Sequence, residues 1–135
     1  MADDERPRVL MIDDEPFIIK AASKALQDAG FDVSQCQEWL GIARALHRTQ
    51  PNVILLDFNM PVLKGDDLCA ILRKHSADFD VQPRIILYSS EPEERLAAIV
   101  ASCGADGYIS KKTPAPQLVL KLRRLVAGSP AQSRR

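Results

Sequence analysis

No part of this chain is apolar for the roughly 18 residues that a membrane-crossing helix needs. Neither charge is in excess: 18 Lys and Arg stand against 18 Asp and Glu. There is thus no overall basic field to draw the chain to nucleic acid or to an anionic membrane surface. Cysteine is scarce. Cys36, Cys69 and Cys103 are far apart in sequence, form no CxxC pair and are joined by only two histidines, which excludes a zinc site. The charged stretch from Met1 to Arg6 lacks the apolar core of a secretory signal. With an odd number of thiols, that points to a reducing, cytoplasmic setting, with the cysteines acting as small buried hydrophobes. A phosphate-cradling loop is also missing after the first apolar run. Asp13-Asp14-Glu15 stands there instead and would repel a flavin phosphate.

What is present suffices for one domain with a single core: 135 residues, 46% of them apolar. The organising stretch is Val53-Ile54-Leu55-Leu56-Asp57-Phe58-Asn59-Met60-Pro61. Four consecutive apolar residues between Pro51-Asn52 and Met60-Pro61 read as a strand buried on both faces, as in the middle of a parallel sheet. A carboxylate at the end of such a strand is delivered to the crevice where open α/β sheets bind ligands.

The rest of the chain repeats that theme. Val9 to Ile12 is an apolar run ending in Asp13 and Asp14, and Pro16 suits the first turn of a helix carrying Ile18, Ala22, Ala25, Leu26 and Ala29. Gly30 is placed to end that helix. Phe31 to Cys36 predicts a short strand, and Trp39, Ile42, Ala43 and Leu46 predict a second helix. Gly65-Asp66-Asp67 opens a third, and Ile85 to Tyr88 predicts a strand ending at Ser89-Ser90-Glu91. A helix from Pro92 to Gly104 follows, then a strand from Gly107 to Ser110 ending at Lys111. Thr113 as N-cap and Pro114 at the first helical position would start the last helix. Five strand–helix repeats with short connections predict a doubly wound, three-layer α/β domain with a parallel five-stranded sheet. Residues 1–7 read as a flexible leader, 8–127 as the domain and 128–135 as a flexible tail.

In a parallel sheet all strand C-termini share one edge. Asp13, Asp14, Asp57, Ser89 and Lys111 would therefore converge. Carboxylates so placed repel unless a cation compensates, and Mg²⁺ prefers a few carboxylates together with phosphate oxygens. Asp57 could then attack phosphorus to give an aspartyl phosphate. Lys111 would neutralise developing charge, and Ser89 could donate a hydrogen bond to a phosphoryl oxygen.

These residues, in this order and with Gly65 and Tyr108 added, resemble a response-regulator receiver domain across about residues 8–127. The resemblance implies a CheY-like, flavodoxin-like strand order of 2-1-3-4-5. It implies that Asp57 accepts a phosphoryl group from a sensor histidine kinase or a phosphotransfer protein. Mg²⁺ (or Mn²⁺) would be held by Asp14, by Asp13 mainly through water, by Asp57 and by the backbone carbonyl of Asn59. Lys111 would pair with the phosphoryl group. Ser89 and Tyr108 occupy switch positions that remodel the surface of the fourth helix, fifth strand and fifth helix for a downstream target, an output domain or a homodimer partner. Ser89 in place of the commoner Thr implies a looser coupling to Tyr108. Asn59 and Glu91 match the chemotaxis-type receiver, implying a short-lived phosphoryl mark.

Two departures stand out. Receivers usually carry a cis-proline directly after the lysine, but Lys112 follows Lys111 here, so a trans bond is expected. The segment from Gly107 to Pro114 resembles receivers of the NarL/LuxR type, and Gly107 replaces an acidic residue of the OmpR-type dimer face. With only eight residues after the last helix, the chain reads as a stand-alone receiver or as one cut from a longer protein, without direct nucleic-acid binding of its own. Such a switch is no metabolic enzyme. A phosphatase of the haloacid-dehalogenase kind would need a second Asp two residues after the nucleophile, where Asn59 stands. An unphosphorylated docking module of the same fold would have no use for so complete a set of charged residues.

Overall fold

Each short apolar run forms a strand, and each amphipathic stretch between runs forms a helix. The computed structural model describes residues 6–57 and 65–127. Its elements run β1 (Arg8–Ile12), α1 (Pro16–Asp28), β2 (Asp32–Cys36), α2 (Ile42–Thr49), β3 (Val53–Leu56), α3 (Gly65–His75), β4 (Arg84–Ser89), α4 (Glu93–Cys103), β5 (Gly107–Ser110) and α5 (Ala115–Ala127). The strands are all parallel, in the order β2-β1-β3-β4-β5. This is the doubly wound arrangement expected from the strand–helix alternation.

The central strand explains why its sequence does not alternate. Ile54 and Leu56 pack with residues of α2 and α3 on one face, while Val53 and Leu55 pack with α1 and α5 on the other. Both faces are dry, so every position is apolar.

Three local differences from the sequence expectation have physical causes. Phe31 belongs to the end of α1 and not to β2. Gly30 takes φ +99°, its N–H donates to the Gln27 carbonyl, and the Phe31 N–H donates to the Leu26 carbonyl, both at 3.0 Å. These are the paired bonds of a Schellman motif, completed by Phe31 and Leu26 sharing one apolar cluster. Trp39–Gly41 forms a 3-10 turn, and α2 proper begins only at Ile42, after Gly41, a poor helix former. At α5, Gln117 and Leu118 both donate to the Pro114 carbonyl at 3.0 Å. Pro114 is thus the capping residue and Ala115 the first helical one, with Thr113 a position earlier than expected.

Residues 1–5 and the expected tail, 128–135, lie outside the described residues. Pro7 is tied to the sheet, because its carbonyl accepts the Asp32 N–H at 2.9 Å. Among the described residues, no helix is long and apolar enough to cross a membrane.

Candidate phosphoryl and metal site

Sheet register builds the site. Ile12 pairs with Leu56 across β1 and β3, so the next residue on each strand, Asp13 and Asp57, emerge side by side. Backbone bonds carry the ladder one residue past the strands: Asp57 N–H to the Ile12 carbonyl at 2.9 Å, and Asp13 N–H to the Cys36 carbonyl at 3.1 Å. On the other side, Lys111 N–H donates to the Ser89 carbonyl at 2.8 Å. Four of the residues expected to converge therefore do so because strand ends in a parallel sheet have no other place to go.

The carboxylates of Asp13, Asp14 and Asp57 offer ligand oxygens that all lie within 4.8 Å of one another. Asp13 and Asp57 are buried, at 1% and 4% exposure, whereas Asp14 is exposed. Lys111, its side chain 5% exposed, brings Nζ to 2.9 Å from Asp13 Oδ2 and 3.8 Å from Asp57 Oδ1. Asp13 Oδ2 is buried, and its close cationic partner is the Lys111 ammonium. A hard divalent cation fits this donor set: three carboxylates from two strand ends crowd within reach of one ion, two of them buried and Asp14 exposed.

Two residues join the site that sequence reasoning did not assign to it. The Glu15 carboxylate also accepts from Lys111 Nζ. The Tyr88 ring centroid lies 6.0 Å from the same ammonium, at the limit of a cation–π contact. Burial pulls the Lys111 ammonium toward the neutral form, but hydrogen bonding to Glu15 and Asp13 and the charges of Asp57 and Asp13 outweigh it, holding its pKa above the ordinary value. Burial pushes the Tyr88 phenol up, with Lys111 pulling it down and Asp13 adding to the rise.

Ser89 is fully buried, and its hydroxyl accepts the Glu91 N–H at 3.1 Å. Register pairs Leu87 with Tyr108 and Ser89 with Ser110. Because side chains alternate along a strand, Ser89 and Tyr108 share the α4 side of the sheet. Tyr108 is half-buried there, against the cluster that includes Leu87 and Val100. Glu91 pairs with Arg95 Nε at 3.1 Å on the first turn of α4. The Lys111–Lys112 bond is trans, as expected from the missing proline; no cis peptide occurs among the described residues. Asn59 lies outside the described residues.

The comparisons with known proteins bear on the same residues. Residues 9–123 match the family described as the response regulator receiver domain. The chain belongs to the response-regulator receiver family. It is 33% identical over 129 residues to the transcriptional regulatory protein PrrA of Mycobacterium tuberculosis, a match covering 94% of this chain and 54% of PrrA. This receiver spans about half the length of the curated relatives it matches. Among solved structures it is similar to the chemotaxis response regulator CheY4 of Vibrio cholerae, with 25% identity, a TM-score of 0.75 and coverage of 89% of this chain and 98% of that one. The signal receiver domain of NarL from Mycobacterium tuberculosis shares the fold, at a TM-score of 0.76 and 24% identity over 92% of this chain and 98% of that one.

Proposed function

We propose that this receiver takes a phosphoryl group onto Asp57 from a phosphohistidine on a sensor histidine kinase or phosphotransfer protein, in the cytoplasm. An Asp57 oxygen attacks phosphorus in line, a P–O bond forms as the P–N bond breaks, and the imidazole leaves. Asp13, Asp14 and Asp57, with the Asn59 carbonyl expected from the family pattern, would hold Mg²⁺ or Mn²⁺. When bound, that ion neutralises charge on the transferring phosphoryl oxygens. Lys111 supplies the protein's own positive charge beside Asp57, and the Ser89 hydroxyl is available to a phosphoryl oxygen on the Tyr108 side.

The new charge then biases two arrangements of the α4–β5–α5 surface by the difference in its contacts with each. That surface would engage a downstream target, an output domain or a second copy of the chain. One observation supports the reading above the others: three carboxylates within 4.8 Å of one another, with Lys111 Nζ 3.8 Å from Asp57 Oδ1. Incubation with acetyl phosphate and Mg²⁺, followed by intact mass, tests it. Wild type should gain the mass of one phosphoryl group, and Asp57→Ala or EDTA-treated protein should gain none. Equal gain in Asp57→Ala, or no gain in wild type, would refute it.

A further inference from the structure

Glu15 stands at the N-cap of α1 but makes no side-chain cap. Its backbone is pinned on both sides: its N–H donates to Asp13 Oδ1 at 2.9 Å, and its carbonyl accepts the Ile19 N–H at 3.1 Å. The side chain is thereby directed away from the helix end that N-cap residues ordinarily serve. It reaches instead to Lys111, 96 positions along the chain.

Lys111 thus has three carboxylate partners, Asp13, Asp57 and Glu15, for one ammonium. They are not equivalent. Asp13 and Asp57 are about as buried as the lysine, whereas the Glu15 side chain is 56% exposed. An aspartyl phosphate carries up to about two negative charges where the Asp57 carboxylate carried one, and its oxygens compete for the same ammonium. Glu15 is the partner that water can take back at least cost, since an exposed ion pair is worth little.

We propose that Glu15 is a positioning residue that holds Lys111 in the unphosphorylated arrangement and must release it before Asp57 is loaded. The proposal rests on the reading of Asp57 as phosphoacceptor. Glu15 then slows phosphorylation and sharpens the difference between the unloaded and loaded states, because Lys111 has an alternative partner only in the first.

The test uses the full chain with Mg²⁺ and acetyl phosphate, with initial rates read by intact mass for wild type, Glu15→Gln, Glu15→Asp and the Asp57→Ala control. Glu15→Asp keeps the charge and shortens the reach by one methylene, so it separates a held lysine from a through-space field. Both Glu15 variants should load about two- to fivefold faster, the factor an exposed ion pair is worth. In metal-free protein, the ¹⁵N signal of the Lys111 ammonium should shift and exchange faster with water in both. A faster Glu15→Gln with Glu15→Asp at the wild-type rate would overturn the proposal in favour of a simple charge effect. Wild-type rates and an unchanged Lys111 signal in both variants would overturn it outright. If no protein gains mass, the reading of Asp57 falls instead, and the Lys111 signal alone still decides whether Glu15 holds the lysine.

Discussion

At the amino end of the sheet, Arg8, Thr49, Gln50 and Asn52 satisfy one another. At the carboxyl end, Asp13, Asp14 and Asp57 crowd one another. The Arg8 guanidinium donates to the carbonyls of Thr49 at 3.0 Å and Gln50 at 2.8 Å, closing the end of α2, where Gln50 takes a left-handed φ of 43°. Asn52 accepts the Arg8 N–H through Oδ1 at 2.7 Å, and its own N–H returns a bond to the Arg8 carbonyl at 2.8 Å. Among the described residues, Arg84 Nε at the amino end is buried without a hydrogen-bond partner, whereas buried Asp13 Oδ2 at the carboxyl end faces the Lys111 ammonium at 2.9 Å. Only the carboxyl end gathers three like charges, and among the described residues it is the only place where such a ligand group assembles. One edge satisfies most of its own polar groups; the other gathers charges that the proposed cation and phosphoryl group would complete. Stability and chemistry should therefore respond to substitution at opposite ends of the same strands.

The largest effect should follow Lys111→Met. Removing a buried ammonium takes the counter-charge from Asp13 and Asp57, and a broken buried pair costs about 3 kcal/mol or more. Thermal unfolding in EDTA should show that loss, and Mg²⁺ should restore much of it. A variant as stable as wild type without metal would mean that the carboxylates do not depend on the lysine.

Asp14→Asn comes next. Asp14 is exposed, so metal-free stability should stay within about 0.5 kcal/mol of wild type. Mg²⁺ affinity, by titration calorimetry, should fall at least about tenfold. The mirror experiment at the amino edge is Asn52→Ala, which leaves the Arg8 N–H without its acceptor and should cost about 1 kcal/mol in urea unfolding. Its Mg²⁺ affinity should not change; if it does, the two edges are coupled and the comparison fails.

The smallest effect concerns the thiols. Cys69 and Cys103, from α3 and α4, meet at 3.6 Å between sulfurs, and burial with the hydrogen bond to Cys103 pushes the Cys69 thiol up to about 12. Iodoacetamide near pH 8 should alkylate half-buried Cys103 ahead of Cys69. Above pH 9 the unfolded chain releases this proton before the folded one, so stability should decline toward pH 12, less in Cys69→Ala. Equal labelling of both thiols would contradict the burial argument.

The strand ends were legible in the sequence because a buried parallel strand is a run of apolar residues, and whatever follows it must lie at one edge. That logic reached Asp13, Asp57, Ser89 and Lys111 without coordinates. It did not reach Glu15, because an acid three residues past a strand and just before a helix is too far from the strand end for register to place its side chain. Tyr88 was hidden for a different reason: inside an apolar run it counts only as a hydrophobe, and its closeness to Lys111 depends on which face of β4 it occupies. The Cys69–Cys103 contact was invisible because 34 positions of sequence separation say nothing about two helices packing side by side. Phe31 was placed in β2 because a β-favouring aromatic next to a strand hides its role at a helix end, where only the φ of Gly30 shows it.

The most direct test of the central claim is to locate the phosphoryl group. Protein loaded with acetyl phosphate and Mg²⁺ is treated with borohydride, which reduces an acyl phosphate to homoserine, and is then mapped by peptide mass spectrometry. The expected result is reduction at Asp57 alone, abolished by EDTA. Modification at Asp13, Asp14 or a residue outside the carboxyl edge, or none at all, would contradict the assignment of that edge as a phosphoryl site.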